Sequence, residues 1–460
     1  RQFFKWSPID WRGVRVKPTR EAKNQRGGIT MRKLLSLFLA VMVILSYSGL
    51  TYAAGNTATV EQTGENQSAA VDQAGNDNTA DVNQYTNNNG AQTADVEQTG
   101  DDNQVVVDQD QIGSGGTVPN DAVAKQTGDN NTIFQKMYAP GSNSWQDVTA
   151  LQEGNDNNII QEILRGYTES LFAQQFGNDN DILQTLTGGG HNHGDVYQEG
   201  DLNKAEQTAG GKNIDMDIRQ VGDLNFAGQD VNGGSFHSGG NYNGNRAQIK
   251  QYGDENDATQ TITGKGNKAY IVQGWEGMSM VANYNVADVT QTGNYNKSEI
   301  DQVGENNVAA VTQEGNNNQA GVDQTGDYNV AAFMQNGDNN RVNAVQLGYK
   351  NAAELNQSGA NNEFLVLQDG EENQIKGVKE GSNGLYLVNK AAQQFNGAEF
   401  FGHQVGDRNQ IGLRQGKNDK ASIIQNGNDN VALLHQLGGK AHTTSIVQTG
   451  NNNSTEVSQK

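Results

Sequence analysis

No cysteine occurs in the 460 residues. That removes a disulfide framework, a zinc–thiolate centre, a cysteine nucleophile and a lipid-modified N-terminal cysteine. Proline is nearly as scarce, at four residues, and only Pro119 and Pro140 lie beyond residue 54. Little therefore interrupts backbone pairing if the chain forms strands. Hydrophobic residues make up 34% and the mean hydropathy is −0.75. A chain this polar cannot build one large globular core that offsets the entropy of ordering it. It is either disordered or ordered by repetition. Basic residues are in deficit, 32 against 53 acidic, for a formal charge of −21, which disfavours nucleic acid as a partner. No nucleophile elbow, phosphate loop or zinc-protease helix is present. The reading is of a non-enzyme without a cofactor.

The N-terminal region is composite. Residues 1–30 precede Met31, are basic and aromatic, and read as a non-native upstream extension. Arg32 and Lys33, the apolar stretch from Leu34 to Leu45 and the segment ending Thr51-Tyr52-Ala53-Ala54 follow the order of a secretory signal peptide over 31–53. Cleavage is expected between Ala53 and Ala54. The apolar run is shorter than the ~20 residues a membrane span needs, so no membrane insertion of the mature chain is expected. Residues 1–54 hold 10 of the 32 basic and 2 of the 53 acidic residues, which leaves 54–460 near −29.

What the chain has in abundance is Gly, with 57 residues, together with Asn and Gln in strict register. Gln291, Gln302, Gln313, Gln324, Gln335, Gln346, Gln357 and Gln368 recur every 11 residues. A glycine follows each at +2: Gly293, Gly304, Gly315, Gly326, Gly337, Gly348, Gly359 and Gly370. An asparagine follows at +5: Asn296, Asn307, Asn318, Asn329, Asn340, Asn351, Asn362 and Asn373. Disorder requires no such register.

The offsets convert into geometry. Positions +5, +7, +9 and +11 share parity and point to one face of a strand. After Gln302 these are Asn307, Ala309, Val311 and Gln313. Positions +1 to +4 hold Gly and Asn or Asp, which suit a tight turn with positive φ. Two units make one strand–turn–strand–turn rung of 22 residues. Small and larger inner residues compensate, as in Ala309/Val311 and Ala331/Phe333, which suits a narrow dry seam. Each inward amide carries a donor and an acceptor, so identical amides can ladder from rung to rung. The expected fold is an all-β, cross-β solenoid of about 34 strands and about 17 rungs, about 80 Å long, with uncapped ends.

The repeat occupies 54–460, with expected insertions at 112–125, 136–144, 164–170, 187–195, 232–244 and 274–284 and an irregular segment at 379–403. If one turn of each rung is tight and the other variable, these loops line one edge. Acidic turns such as Gly75-Asn76-Asp77-Asn78 could offer oxygen ligands to Ca²⁺, and His191-Asn192-His193 could hold a metal. Turn chemistry accounts for the former, and the latter has no fixed acidic or Cys partner. No metal site is expected.

The string Q-x-G-x-x-N-x-A-x-x-x-Q, met at every defined position from Gln313 through Gly315, Asn318 and Ala320 to Gln324, resembles the repeat of curlins. These are the subunits of curli fibres of Gram-negative bacteria. The resemblance implies export and passage through a dedicated outer-membrane pore. It further implies periplasmic chaperones, a nucleator subunit, and self-assembly end to end into extracellular amyloid fibres for adhesion and biofilm matrix. Two departures stand out. There are several times more repeats than in familiar curlins, and Asn56 enters the first strand where curlins carry a targeting segment. A monomeric surface adhesin, or a solenoid binding ice or a glycan, is the alternative.

Overall fold

The computed structural model describes residues 55–87, 91–112, 119–140, 145–165, 168–234, 244–275, 282–381, 384–388, 392–437 and 441–460. The expected upstream extension, signal peptide and cleavage between Ala53 and Ala54 lie outside these.

Period-two alternation sets the strands. In Lys297–Glu305, for example, Ser298, Ile300 and Gln302 are buried while Lys297, Glu299 and Asp301 face outward. Successive strands alternate between two parallel sheets. Val286–Asn294 pairs with Val308–Asn316, Gln291 opposite Gln313. Lys297–Glu305 pairs with Gln319–Asp327, Gln302 opposite Gln324. We call the sheet that begins at Thr57–Thr63 the first and the one that begins at Gln67–Ala74 the second. The second is an open stack among the described residues, where Gln67–Ala74 and Thr443–Thr449 each pair on one side only. The first has 19 strands; Gln374–Gly381, Gly384–Val388 and Ala392–Phe395 share one layer, so it is 17 layers deep. The molecule is a β-solenoid.

Between the sheets lies one continuous apolar core running from Ala80 to Ile446. Volume compensation extends beyond the Ala/Val pairs. Phe364 stacks on Phe400 with centroids 5.0 Å apart and planes at 25°. Beside Phe400 the next inner position is Gly402, where a Cβ would approach the Phe400 ring to 2.7 Å. A second large residue has no room there.

The two edges differ. Turns leading from the second sheet to the first are tight, except the one between Lys268–Gln273 and Val286–Asn294, and place a residue in the left-handed region, as Asp102, Asp179, Asn306 and Asp429 do with φ of 56–57°. This tight-turn edge requires glycine. A Cβ at Gly304 would lie 2.3 Å from the carbonyl oxygen of Gly326 in the next coil. Turns from first to second sheet carry most insertions.

Several expected bounds are corrected. Strands run to Ile112 and from Asn120, through Thr132–Pro140, and from Thr168 and Asn192. The insertions are thus shorter than 112–125, 136–144, 164–170 and 187–195. The insertion within 274–284 joins Lys268–Gln273 of the second sheet to Val286–Asn294 of the first. It therefore falls on the tight-turn edge, against the expected single loop-bearing edge. The irregular segment is narrower than 379–403 and of a different kind. Gln374 pairs with Gln410 up to Gly377, the chain departs as an antiparallel hairpin with Gly377 opposite Val388, and Ala392–Phe395 returns to complete the same layer. Glu399–Val405 is a regular strand beyond it.

Candidate functional site

The functional unit of a repeat this polar is its array of buried amides. All eight glutamines from Gln291 to Gln368 and all eight asparagines from Asn296 to Asn373 are buried. Stacking divides them. Gln302, Gln324, Gln346 and Gln368 form part of one ladder in the second sheet, with Nε2–Oε1 distances of 2.9, 3.0 and 3.3 Å. Gln291, Gln313, Gln335 and Gln357 belong to the first sheet, at 2.9, 2.8 and 2.9 Å. All of these glutamines but Gln346 also donate to a backbone carbonyl of the facing sheet, as Gln302 does to Val286 at 3.2 Å. The amides thus tie both coil to coil and sheet to sheet. Such networks hold one register, because slipping a strand strands every buried donor and acceptor.

The asparagines form columns at the strand starts. On the tight-turn edge the column is unbroken from Asn56 and Asn78 through Asn307, Asn329, Asn351 and Asn373 to Asn430 and Asn453. Asn329 shows the pattern. Its N–H and Nδ2 donate to Asn307 Oδ1 at 3.0 and 3.1 Å, and Nδ2 also donates to Gly348 O at 3.0 Å. On the opposite edge Asn296, Asn318, Asn340 and Asn362 follow one another likewise. The two kinds of ladder have opposite polarity. Glutamine amides donate towards the C-terminal coils and asparagine amides towards the N-terminal ones, so their dipoles oppose.

The turn glycines follow the same split. Gly304, Gly326, Gly348 and Gly370 lie on the tight-turn edge and Gly293, Gly315, Gly337 and Gly359 on the other, all with positive φ. The acidic turn residues spend an oxygen on the backbone of the preceding coil. Asn76 N–H donates to Asp101 Oδ1, and Asp201 N–H to Asp223 Oδ1, both at 2.8 Å.

Periodicity concealed a dislocation. In the first sheet the glutamine ladder runs Gln62, Gln84, Gln109, then moves over by two residues. Gln109 lies opposite Met137, and Gln135 opposite Val107. Gln135, Gln161, Gln184, Gln207, Gln229 and Gln260 then form a ladder of their own. It moves back at Gln291, which lies opposite Ile262. Each step leaves one buried acceptor without a donor, Gln135 Oε1 and Gln291 Oε1. The second sheet has no such break, from Gln73 to Gln448.

Two carboxylates occupy asparagine slots on the loop-bearing edge, and sequence reasoning missed both. Glu169 is buried and accepts the N–H groups of Gly190 and Asn192 at 2.6 and 3.1 Å. Buried Asp419 accepts Gly416 N–H at 2.8 Å and His442 N–H at 2.9 Å. Neither has a second carboxylate stacked on it in its column, so no ladder of like charges forms. The signal was available, since each lies six residues before the glutamine of its own strand, Gln175 and Gln425, as Asn296 lies before Gln302.

His193 faces outward and bonds Ser170 Oγ at 2.5 Å through Nδ1 and Asp195 at 3.0 Å through Nε2. The hydrogen bond to Asp195 raises its pKa. This Ser–His–Asp row lies on a paired sheet face whose backbone N–H groups are committed to strand pairing. It therefore lacks the donors an oxyanion would need. Among the described residues no group of three or more His, Cys, Asp or Glu converges as a metal site.

No curated protein matches the chain. A family model described as a curlin associated repeat matches residues 54–85, 282–315, 299–326, 315–348 and 337–370. The unmatched interval between them holds the shifted ladder from Gln135 to Gln260 and most of the insertions, where the fold persists but the 11-residue string does not. Residues 54–85 and 282–370 thus consist of curlin associated repeats, the repeat of a structural family.

Proposed function

We propose that this protein is a secreted structural subunit that stacks end to end into extracellular, curli-like amyloid fibres for adhesion and biofilm matrix. The observation that supports this is the state of the ladders at the first coil. The interior-facing Val60 is 45% exposed, and among the described residues Thr57–Thr63 and Gln67–Ala74 each pair on one side only. Gln62 and Gln73 donate inward to Gln84 and Gln98, both at 2.7 Å, which leaves the acceptor ends of both ladders at this edge. At the far coil Gln459 accepts from Gln436 at 2.8 Å, so the donor end lies there. A second copy offering donors to acceptors extends both ladders head to tail, and an exposed strand edge is a template for such pairing. A nucleator, an outer-membrane pore and periplasmic chaperones are the partners such a subunit would need.

Electron microscopy of purified protein tests this, with Val60→Lys as the paired variant. The parent should form fibres one solenoid wide. Val60→Lys places a charge on an already exposed edge, so it should keep its β-sheet circular dichroism yet fail to elongate. A parent that stays monodisperse on standing would show a monomeric solenoid instead.

A further inference from the structure

The left-handed turn slot of the tight-turn edge is filled in early coils by Asp102, Asn130 and Asp179, types that tolerate this conformation. Further along, the filling changes. Leu202, Leu224, Tyr284 and Tyr328 have φ of 56–60° and are 48–51% exposed. A bulky side chain is disfavoured in this region, and one half in water gains little packing in return. Strain kept at an exposed site points to contact with something outside the chain.

The slots stack in register. The N–H of Leu224, Glu255, Tyr284, Asn306 and Tyr328 each bonds the carbonyl of the preceding coil's turn. Leu224, Tyr284 and Tyr328 therefore recur every second coil, about 9.6 Å apart at the usual strand spacing. Glu255 and Asn306 alternate with them. Each ring has a neighbour on this edge. Tyr284 lies beside the Glu255 carboxylate, whose charge raises its pKa, and Tyr328 meets Tyr349 edge to face at 5.6 Å and 75°. Pre-organised, amphipathic rings lose little entropy on binding.

We propose that this stripe binds a neutral, extended β-1,4-linked polysaccharide lying along the solenoid axis. Successive sugars of such a chain are turned over, so the same apolar sugar face recurs once per disaccharide, a length close to two coils. The apolar–polar alternation of the stripe matches it: rings and Leu224 meet C–H faces, and Glu255 and Asn306 meet hydroxyls. The acidic turn residues beside the stripe, Asp223 and Asp254, are exposed. They would repel a second acidic copy or an anionic polymer but accept hydrogen bonds from sugar hydroxyls.

The test is co-sedimentation of the freshly purified, unpolymerised full chain with microcrystalline cellulose, so that its outcome is separate from fibre formation. The parent should bind, with little change in high salt. Tyr284→Asn combined with Tyr328→Asn keeps a turn-compatible residue, as at Asn306, and should weaken binding about tenfold or more with unchanged circular dichroism. Tyr295→Asn, in the same conformation on the opposite edge, should bind like the parent. A parent that stays in solution, or a double variant that binds as well as the parent, would overturn the proposal. Loss of lateral fibre bundling with cellulose binding intact would assign the stripe to contacts between copies and overturn it equally.

Discussion

Gln324 donates its side-chain amide to Gln346 at 3.0 Å while accepting that of Gln302 at 2.9 Å, at full burial. Replacing it by Glu keeps the size but removes the donor and adds a charge. The expected cost at pH 7 is at least the ~1–3 kcal/mol of a buried unsatisfied group, with partial recovery as the carboxyl protonates. Gln319→Glu is the same chemical change on an exposed outward site between Lys297 and Arg341. It should be neutral or slightly stabilising. Urea denaturation of both variants decides, and equal costs would place the inner face wrongly by one residue.

The dislocation predicts unequal costs for equal substitutions. Gln291 Oε1 is already without a donor, and Gln313 Oε1, its acceptor, also receives Ser298 Oγ at 2.9 Å. Gln291→Met therefore strands little. Gln313→Met interrupts the ladder between Gln291 and Gln335. It should be the more destabilising by about 1–2 kcal/mol, measured as the difference in chemical-denaturation midpoints.

Asp301 faces outward but is stacked directly on Asp323. Burial, with Glu299 and Asp323 beside it and Lys297 opposing, raises its carboxyl from 3.8 to about 7. A folded-state value above the unfolded one means that the folded chain holds the proton longer. Stability from this site is complete below pH 4, declines as pH rises towards 7, and stays reduced above it. Asp301→Asn should stabilise at pH 8 and change nothing at pH 4, as read from thermal unfolding. Asp323→Asn should act in the same direction by removing the neighbouring charge, so Asp323 is not an indifferent surface site.

Gly326 has φ of +106°, and a Cβ there would meet Gly348 O at 2.1 Å. Gly326→Ala should cost more than the ~1–3 kcal/mol of backbone strain alone, and should slow any assembly that depends on a regular edge. Thr325→Ala, exposed one residue earlier, should lie within about half a kcal/mol of the parent. Thermal melts of the pair check this.

The alternation of Asn307, Ala309, Val311 and Gln313, the turn after Gln302 and the two-strand coil were all legible in the sequence. Strand parity and turn chemistry are local, and the pattern repeats many times. The shift of the ladder at Gln135 and its return at Gln291 were not legible. Met137 and Gln135 share parity, so either could fill the amide column, and only pairing across coils decides. The same holds for Glu169. Its inward position could be read from spacing, but its tolerance depends on N–H groups of Gly190 and Asn192 brought to it by the next coil.

The sequence by itself determined the coil, its inner residues and its two kinds of turn, because each follows from interactions within about one 11-residue unit. Only the tertiary structure decided which coil stacks on which across insertions. It alone showed that Gln357 meets Gln394 although 37 residues separate them, and that the hairpin Gly384–Val388 leaves and rejoins a single layer. It alone placed Leu224, Tyr284 and Tyr328 in one column. The physical reason is that an insertion changes separation along the chain without changing the spacing between layers. Neighbours across coils are therefore set by hydrogen-bond register and volume, which sequence distance does not encode.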